Sequence, residues 1–235
     1  MRPVPGVTAL ARFVLIATAA FAAAGSAPRD LHAQPAGARA NADLSLLSRI
    51  GDARAIGADT AKVTVIEFLD FACTVCQRFH VQRGDSLRRA LAPDVRLVYA
   101  TLLHPDFLRS YHAAEAASCA SVAGGREAYT GMADRLFRNA SEWAEAGDPG
   151  PVFARFAREM RLDSAVFERC RALDVTAPLI VSDMATAAQF GVEGTPVFVI
   201  IPSGAQSPDD VLRIAGNVSI AQLTQLISQA RDKAK

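Results

Sequence analysis

The chain has 235 residues, of which 51% are hydrophobic and 21% charged, proportions of an ordinary folded protein rather than a disordered or fibrous one. Its formal net charge is +1, so it has no basic field to draw in nucleic acid or an acidic membrane surface. The four cysteines are Cys73, Cys76, Cys119 and Cys170.

Residues 1–33 read as a secretory signal peptide. Arg2 and Arg12 flank a positive start, and Phe13 to Ala24 is an alanine-rich apolar run, shorter than the roughly 20 residues that span a bilayer. Ala33 offers a small residue for a cut before Gln34. An uncleaved anchor is the alternative, and no cysteine lies near the cut to carry a lipid. The remainder is long enough for one domain with a sizeable core. Residues 34–51 are expected to be a leader, flexible over 34–42 with a short helix at Leu44–Ile50.

Val63–Asp70 is the first predicted strand. Val63, Val65, Glu67 and Leu69 share one face and Thr64, Ile66 and Phe68 the other, so both faces are mostly apolar, as in a central strand covered on each side. The helix after Cys73 carries Val75, Phe79, Leu87 and Leu91 at multiples of four, and Pro93 stops it. A second strand is predicted at Val95–Leu103, completing a βαβ unit with parallel strands. From Pro105 to Phe190 the pattern is helical. Tyr111–Val122 is alanine-rich and ends at Gly124-Gly125; Tyr129, Met132 and Leu136 follow helical spacing, as do Phe153, Phe156 and Met160. Ser164 is the expected cap of the next helix, and a last one runs from Thr176 to Phe190 with Gly191 as its stop. Strands return at Val197–Ile201 and Val211–Ala215. Ser219 and Gln222 form a capping box for a terminal helix striped by Ile220, Leu223, Ile227 and Ala230.

Cys73-Thr74-Val75-Cys76 sits where a strand feeds a helix, the setting of a redox pair that closes a small reversible disulfide. A helix N-terminus stabilises negative charge, so Cys73 is the thiol whose thiolate is favoured. Export favours disulfides, and with the close pair accounted for, parity couples Cys119 with Cys170. Those two lie in the helical block and lack C-x-x-C partners, which favours a structural staple over a second redox relay. Glu67, among Val63, Val65 and Leu69, is expected to be a buried carboxyl able to move a proton to or from Cys76; a strand-end acid reaching solvent is the alternative. His80 is expected to be a surface or half-buried residue, His104 to take a turn role at the hinge into the helical block, with lining of the active-site groove as the alternative, and His112 to face solvent. No His, Asp and Glu set has convincing metal spacing, and no cofactor motif is present.

The strings EFLDFACTVC, FERC and FGVEGTPVFVI together resemble the DsbA-like branch of the thioredoxin superfamily, over roughly residues 52–232. The resemblance implies an α/β thioredoxin-like fold, its βαβ and ββα halves at 52–104 and 191–235 and a helical domain inserted at 105–190. It implies a protein disulfide oxidoreductase of the periplasm or another extracytoplasmic space. By motif, Cys73 matches the nucleophile, Cys76 the resolving cysteine, Glu67 the buried acid, and Thr195 and Pro196 the cis-proline pair that binds substrate backbone. Partners implied are exported proteins with cysteines and a membrane quinone-linked re-oxidising protein. The strongest oxidants of the family carry Pro-His between the cysteines, where this chain has Thr74-Val75, which implies a less acidic Cys73. Oxidase is favoured over isomerase, because the stretch before the first strand is too short for a dimerisation domain; a monomer is expected. A reductase or isomerase of the same fold, a zinc or copper protein built on the cysteines, and a redox-silent chaperone are the competing readings.

Overall fold

The strand that leads into Cys73 lies at the centre of a five-stranded sheet. The computed structural model describes residues 36–104 and 107–234. The predicted signal segment, the cut before Gln34 and the start of the helical block at Pro105 lie outside them. Five strands, β1 (Ala55–Ile56), β2 (Val63–Leu69), β3 (Val95–Thr101), β4 (Val197–Pro202) and β5 (Leu212–Ala215), form one sheet in the order β1-β3-β2-β4-β5. β2 runs parallel to β3 and antiparallel to β4. Its central place explains why both faces are apolar. Val63, Val65 and Leu69 join the larger core cluster, whereas Phe68 joins Ala100, Ala187, Val192 and Val199 on the other side. β1 is too short to leave a periodic signal. It turns at Gly57 (φ +104), where a Cβ would stand 2.3 Å from the Val95 carbonyl oxygen.

The leader expectation is corrected. Residues 36–53 form one continuous helix, α1 (Ala36–Ala53), with Ile50 and Ala53 buried. Its alanines favour a helix strongly enough to carry it through Gly37, and burial of its far end fixes it in place.

The helix after Cys73 is also more elaborate than its four-residue stripe suggests. It consists of α2 (Thr74–Phe79), a π-helical turn at His80–Gly84, and α3 (Asp85–Ala90). A π turn inserts an extra residue and rotates the helix beyond it, so Phe79 and Leu87 are both buried while Val81 is exposed.

The helical block comprises α4 (Phe107–Arg138), α5 (Ala140–Trp143), α6 (Gly150–Glu159), α7 (Ser164–Ala172) and α8 (Ala177–Gln189). α4 is broken at Gly124 and Gly125, as the glycine pair predicts, Gly125 with φ +70. Ala113, Ala114, Ala116, Ala117 and Ala120 are buried, small residues that let α4 and α7 approach closely. Phe153 and Phe156 of α6 are also buried, each burial contributing roughly 1.5–3 kcal/mol. Asp163, not Ser164, caps α7: its side chain accepts from the amides of Ala165 and Val166 at 2.9 and 3.1 Å. The terminal helix α9 (Ile220–Lys233) carries the expected capping box. From Ala36 onward the chain is one compact unit, and a single large core cluster runs through the sheet face, α4, α6, α7 and α9. No helix of the described residues is long and apolar enough to cross a membrane.

Candidate active site

Cys73 is the N-cap of α2, with extended backbone (φ −70, ψ 118). The turn from β2 is held by the Cys73 amide donating to the Asp70 carbonyl at 3.2 Å. This placement points amides at sulfur: the Cys76 N–H lies 3.5 Å from Cys73 Sγ. The two cysteines are free thiols, Cys73 half-buried and Cys76 buried. The Cys73 thiol is pushed down to about 5, chiefly by a hydrogen bond from the Cys76 side chain, with Thr195 and the Val75 and Cys76 amides adding to it against partial burial. Burial pushes Cys76 the other way, far above an ordinary thiol, and the neighbouring Cys73 adds to that. A missing histidine between the cysteines therefore does not leave Cys73 at an ordinary thiol value.

The loop before β4 supplies the opposing wall. The Thr195–Pro196 peptide bond is cis, and the Cys73 thiol lies 3.4 Å from the Thr195 carbonyl oxygen. The Pro196 carbonyl is occupied by the Gly216 amide at 2.8 Å. A groove of about 450 Å³ opens over Cys73, lined by Ala72, Thr74, Val75, Leu102, Leu103, His104, Glu193, Gly194 and Thr195. It is largely apolar, with Glu193 and His104 as its charged or titratable members. Such a groove suits an extended peptide whose cysteine reaches Cys73.

Glu67 is fully buried, as its apolar neighbours predict. The expectation for His80 is corrected: it is 5% exposed, and its Nε2 is hydrogen-bonded to Glu67 Oε1 at 2.8 Å. The His80 ring stacks on Phe137 of α4 at 4.0 Å with an interplanar angle of 3°. The other Glu67 oxygen, Oε2, has no hydrogen-bond partner among the described residues. The backbone of His80 donates to the Cys76 carbonyl, so this buried acid–imidazole couple begins one helical turn beyond the resolving thiol. Its signal in the sequence is the spacing of 76 and 80, which puts both on the flank of α2 that Phe79 buries.

No motif singles out Asp70. It is 1% exposed, and it bonds the amides of Ala72 and His104 and the Ser110 hydroxyl. His104 lines the groove, and its backbone amide donates to the Asp70 carboxylate; the structure assigns no turn to it. The His112 side chain is partly exposed, its Nδ1 3.8 Å from Glu115.

Cys119 of α4 and Cys170 of α7 are joined in a disulfide across 51 residues, with Cα atoms 5.6 Å apart. That removes two of the four thiols from any metal set. Among the described residues no group of three or more His, Cys, Asp or Glu is placed to hold a metal ion.

The thioredoxin family model matches residues 50–214. No curated protein matches the chain in sequence. Among solved structures, a thioredoxin-like oxidoreductase from Silicibacter pomeroyi DSS-3 is 30% identical, covers 76% of this chain and 91% of its own, and has a TM-score of 0.56. Pseudomonas aeruginosa DsbA2 is 24% identical over 75% of this chain and 92% of its own, TM-score 0.58. Wolbachia pipientis α-DsbA1 is 18% identical over 77% and 91%, TM-score 0.65.

Proposed function

This chain belongs to the thioredoxin family and has the DsbA-like fold of the family's thiol–disulfide oxidoreductases, and on that premise we propose that it exchanges disulfides with exported proteins through Cys73 and Cys76, chiefly as an oxidase. The observation that carries the reading is the contrast within the pair: a half-buried Cys73 pushed down to about 5 beside a buried Cys76 pushed strongly up. Cys73 is the attackable, easily released sulfur, and Cys76 is the hidden one.

In the oxidised form a substrate thiolate attacks Cys73 Sγ. A mixed disulfide forms, the Cys73–Cys76 bond breaks, and Cys76 takes up a proton. A second substrate thiolate then attacks the substrate sulfur of the mixed disulfide, and Cys73 leaves as a thiolate. The substrate has lost two electrons and two thiol protons; the pair has gained the electrons and one proton, and the other proton goes to solvent. A low leaving-group pKa speeds the release of Cys73 and favours this direction. Thr195 and Pro196 align the substrate backbone over the groove. The buried couple of Glu67 and His80 serves the proton of Cys76, a role supported by its burial and by its position one helical turn away. Return to the disulfide needs an external oxidant, for which a membrane quinone-linked protein is the proposed partner. The signal-like segment at 1–33 supports a reaction outside the cytoplasm.

The test is trapping. A Cys76→Ala variant, expressed with its signal segment, is expected to accumulate mixed disulfides that vanish on reduction and on further Cys73→Ser substitution. No such species on non-reducing gels sinks the reading. Equilibration of the wild-type pair with glutathione then separates oxidase from reductase: a pair still reduced at poises where a thioredoxin pair is already oxidised is an oxidant.

A further inference from the structure

The Asp70 backbone hydrogen-bonds Cys76. Its side chain takes no part in the exchange steps, yet Asp70 is 1% exposed and both its carboxylate oxygens are bonded. Oδ1 accepts from the Ala72 amide at 2.6 Å and from the Ser110 hydroxyl at 2.9 Å. Oδ2 accepts from the His104 amide. Its backbone carbonyl accepts from the Cys73 amide at 3.2 Å. Three separate stretches therefore meet at one side chain: the turn into the nucleophile, the segment after β3, and the first turns of α4. Two of these, through Ala72 and Cys73 and through Leu102, Leu103 and His104, line the groove over Cys73.

None of the three donors is an Arg or Lys side chain. Burial pushes the Asp70 carboxyl up, and the hydrogen bonds from Ser110, Ala72 and His104 pull it back only in part. An acid kept in such a place is kept for its two acceptor oxygens rather than for an easy charge. A buried carboxyl with fewer partners is unfavourable, so each of the three contacts adds to holding it in place.

We propose that Asp70 is a positioning residue that sets the shape of the substrate groove, by fastening the turn at 70–73 to the segment at 102–104 and both to the start of α4. The inference rests on the reading of Cys73 and Cys76 as an exchanging pair. It makes Asp70 a determinant of how polypeptide substrates bind, separate from the acidity of Cys73, which comes from Cys76, Thr195 and backbone amides. It also makes the helical block part of the active site, since Ser110 carries the position of α4 to the groove through one carboxylate.

Two variants test it. Asp70→Asn keeps an acceptor for Ala72 and Ser110 but turns an amide N–H against that of His104. Ser110→Ala removes only the link to α4. The readouts are KM and kcat for oxidation of a reduced two-cysteine peptide, with oxidised glutathione in excess, and the alkylation rate of Cys73 by iodoacetamide, a probe too small to use the groove. Asp70→Asn is expected to raise the peptide KM roughly tenfold, the scale of leaving one buried donor unsatisfied, and Ser110→Ala by about threefold. Both should leave kcat and alkylation within about twofold of wild type. Unchanged KM in both variants overturns the proposal. So does a fall in alkylation and kcat in step with the change in KM, which would place Asp70 behind the thiol or the fold as a whole. Should Asp70→Asn fail to fold, Ser110→Ala alone decides by the same criteria. A wild-type chain that oxidises no peptide overturns the exchange reading and this one with it, whereas an active wild type with unchanged variants overturns this one alone.

Discussion

Cys73 and Cys76 are one helical turn apart, and their protons are held in opposite ways because one sulfur faces amides and a groove while the other faces the core. The consequence is a pH signature. With its thiol pushed down to about 5, Cys73 is a thiolate throughout the neutral range, and the reactive form is lost only as pH falls through that value. The alkylation rate of reduced protein should therefore be flat from neutrality down to about pH 6. Below about pH 5 it should fall tenfold per unit, since only the thiolate attacks. A midpoint near 8.5, the value of a free thiol, would show that the amides and Cys76 do not act on Cys73. The same lowering bears on stability. A depressed thiol stabilises the folded reduced chain fully above the unfolded value near 8.5, and the contribution declines as pH falls towards 5 and is gone below it. Stabilisation of the reduced form at neutral pH is what the proposed oxidase role requires.

At the scale of elements, the features legible in the sequence are those with a local cause. β2 announces itself by two apolar faces, α4 breaks at a glycine pair, α9 carries its own capping box, and Thr195-Pro196 stands directly before β4. The illegible features depend on partners distant in the chain. The π turn at His80–Gly84 has no composition signal; it is seen only once His80 meets Glu67 and Phe137. Asp70 looks like an ordinary acid at a strand end until residues 104 and 110 converge on it. Asp163 takes the cap expected of Ser164 because it stands one position earlier, where its carboxylate reaches the Ala165 and Val166 amides. The buried pair of Arg54 and Asp183, 129 residues apart, is equally invisible in sequence. Asp183 accepts from the Arg54 guanidinium at both oxygens and from the Thr101 amide at 2.8 Å, tying the chain after α1 to β3 and α8. Removing one partner of a buried pair leaves the other charge uncompensated. Asp183→Ala is therefore expected to destabilise the protein by about 3–5 kcal/mol, read as a lowered urea midpoint. A loss below about 1 kcal/mol, the range of an exposed pair, would show that the contact is not truly desolvated.

For the whole molecule, the question is how the long helical block stays packed on the sheet. One core cluster joins the two, and the Cys119–Cys170 disulfide closes 51 residues of that block. Both cysteines are buried, which keeps them from the groove where substrate thiols arrive, and each lies on a helix far in sequence from Cys73. A loop of this length, cross-linked in the unfolded chain, is worth about 4 kcal/mol in the chain-entropy model. The staple reading predicts that a Cys119→Ala, Cys170→Ala double variant loses stability on that scale. Its Cys73–Cys76 pair should keep the wild-type glutathione equilibrium and alkylation profile, because nothing that lowers Cys73 comes from α4 or α7. The relay reading predicts the reverse: near-wild-type stability and impaired exchange with protein substrates, as electrons lose their second stop. Measured together on the one variant, urea unfolding and the glutathione equilibrium separate the two. A stable but redox-altered double variant would make the helical block a participant in electron transfer rather than a scaffold for the groove.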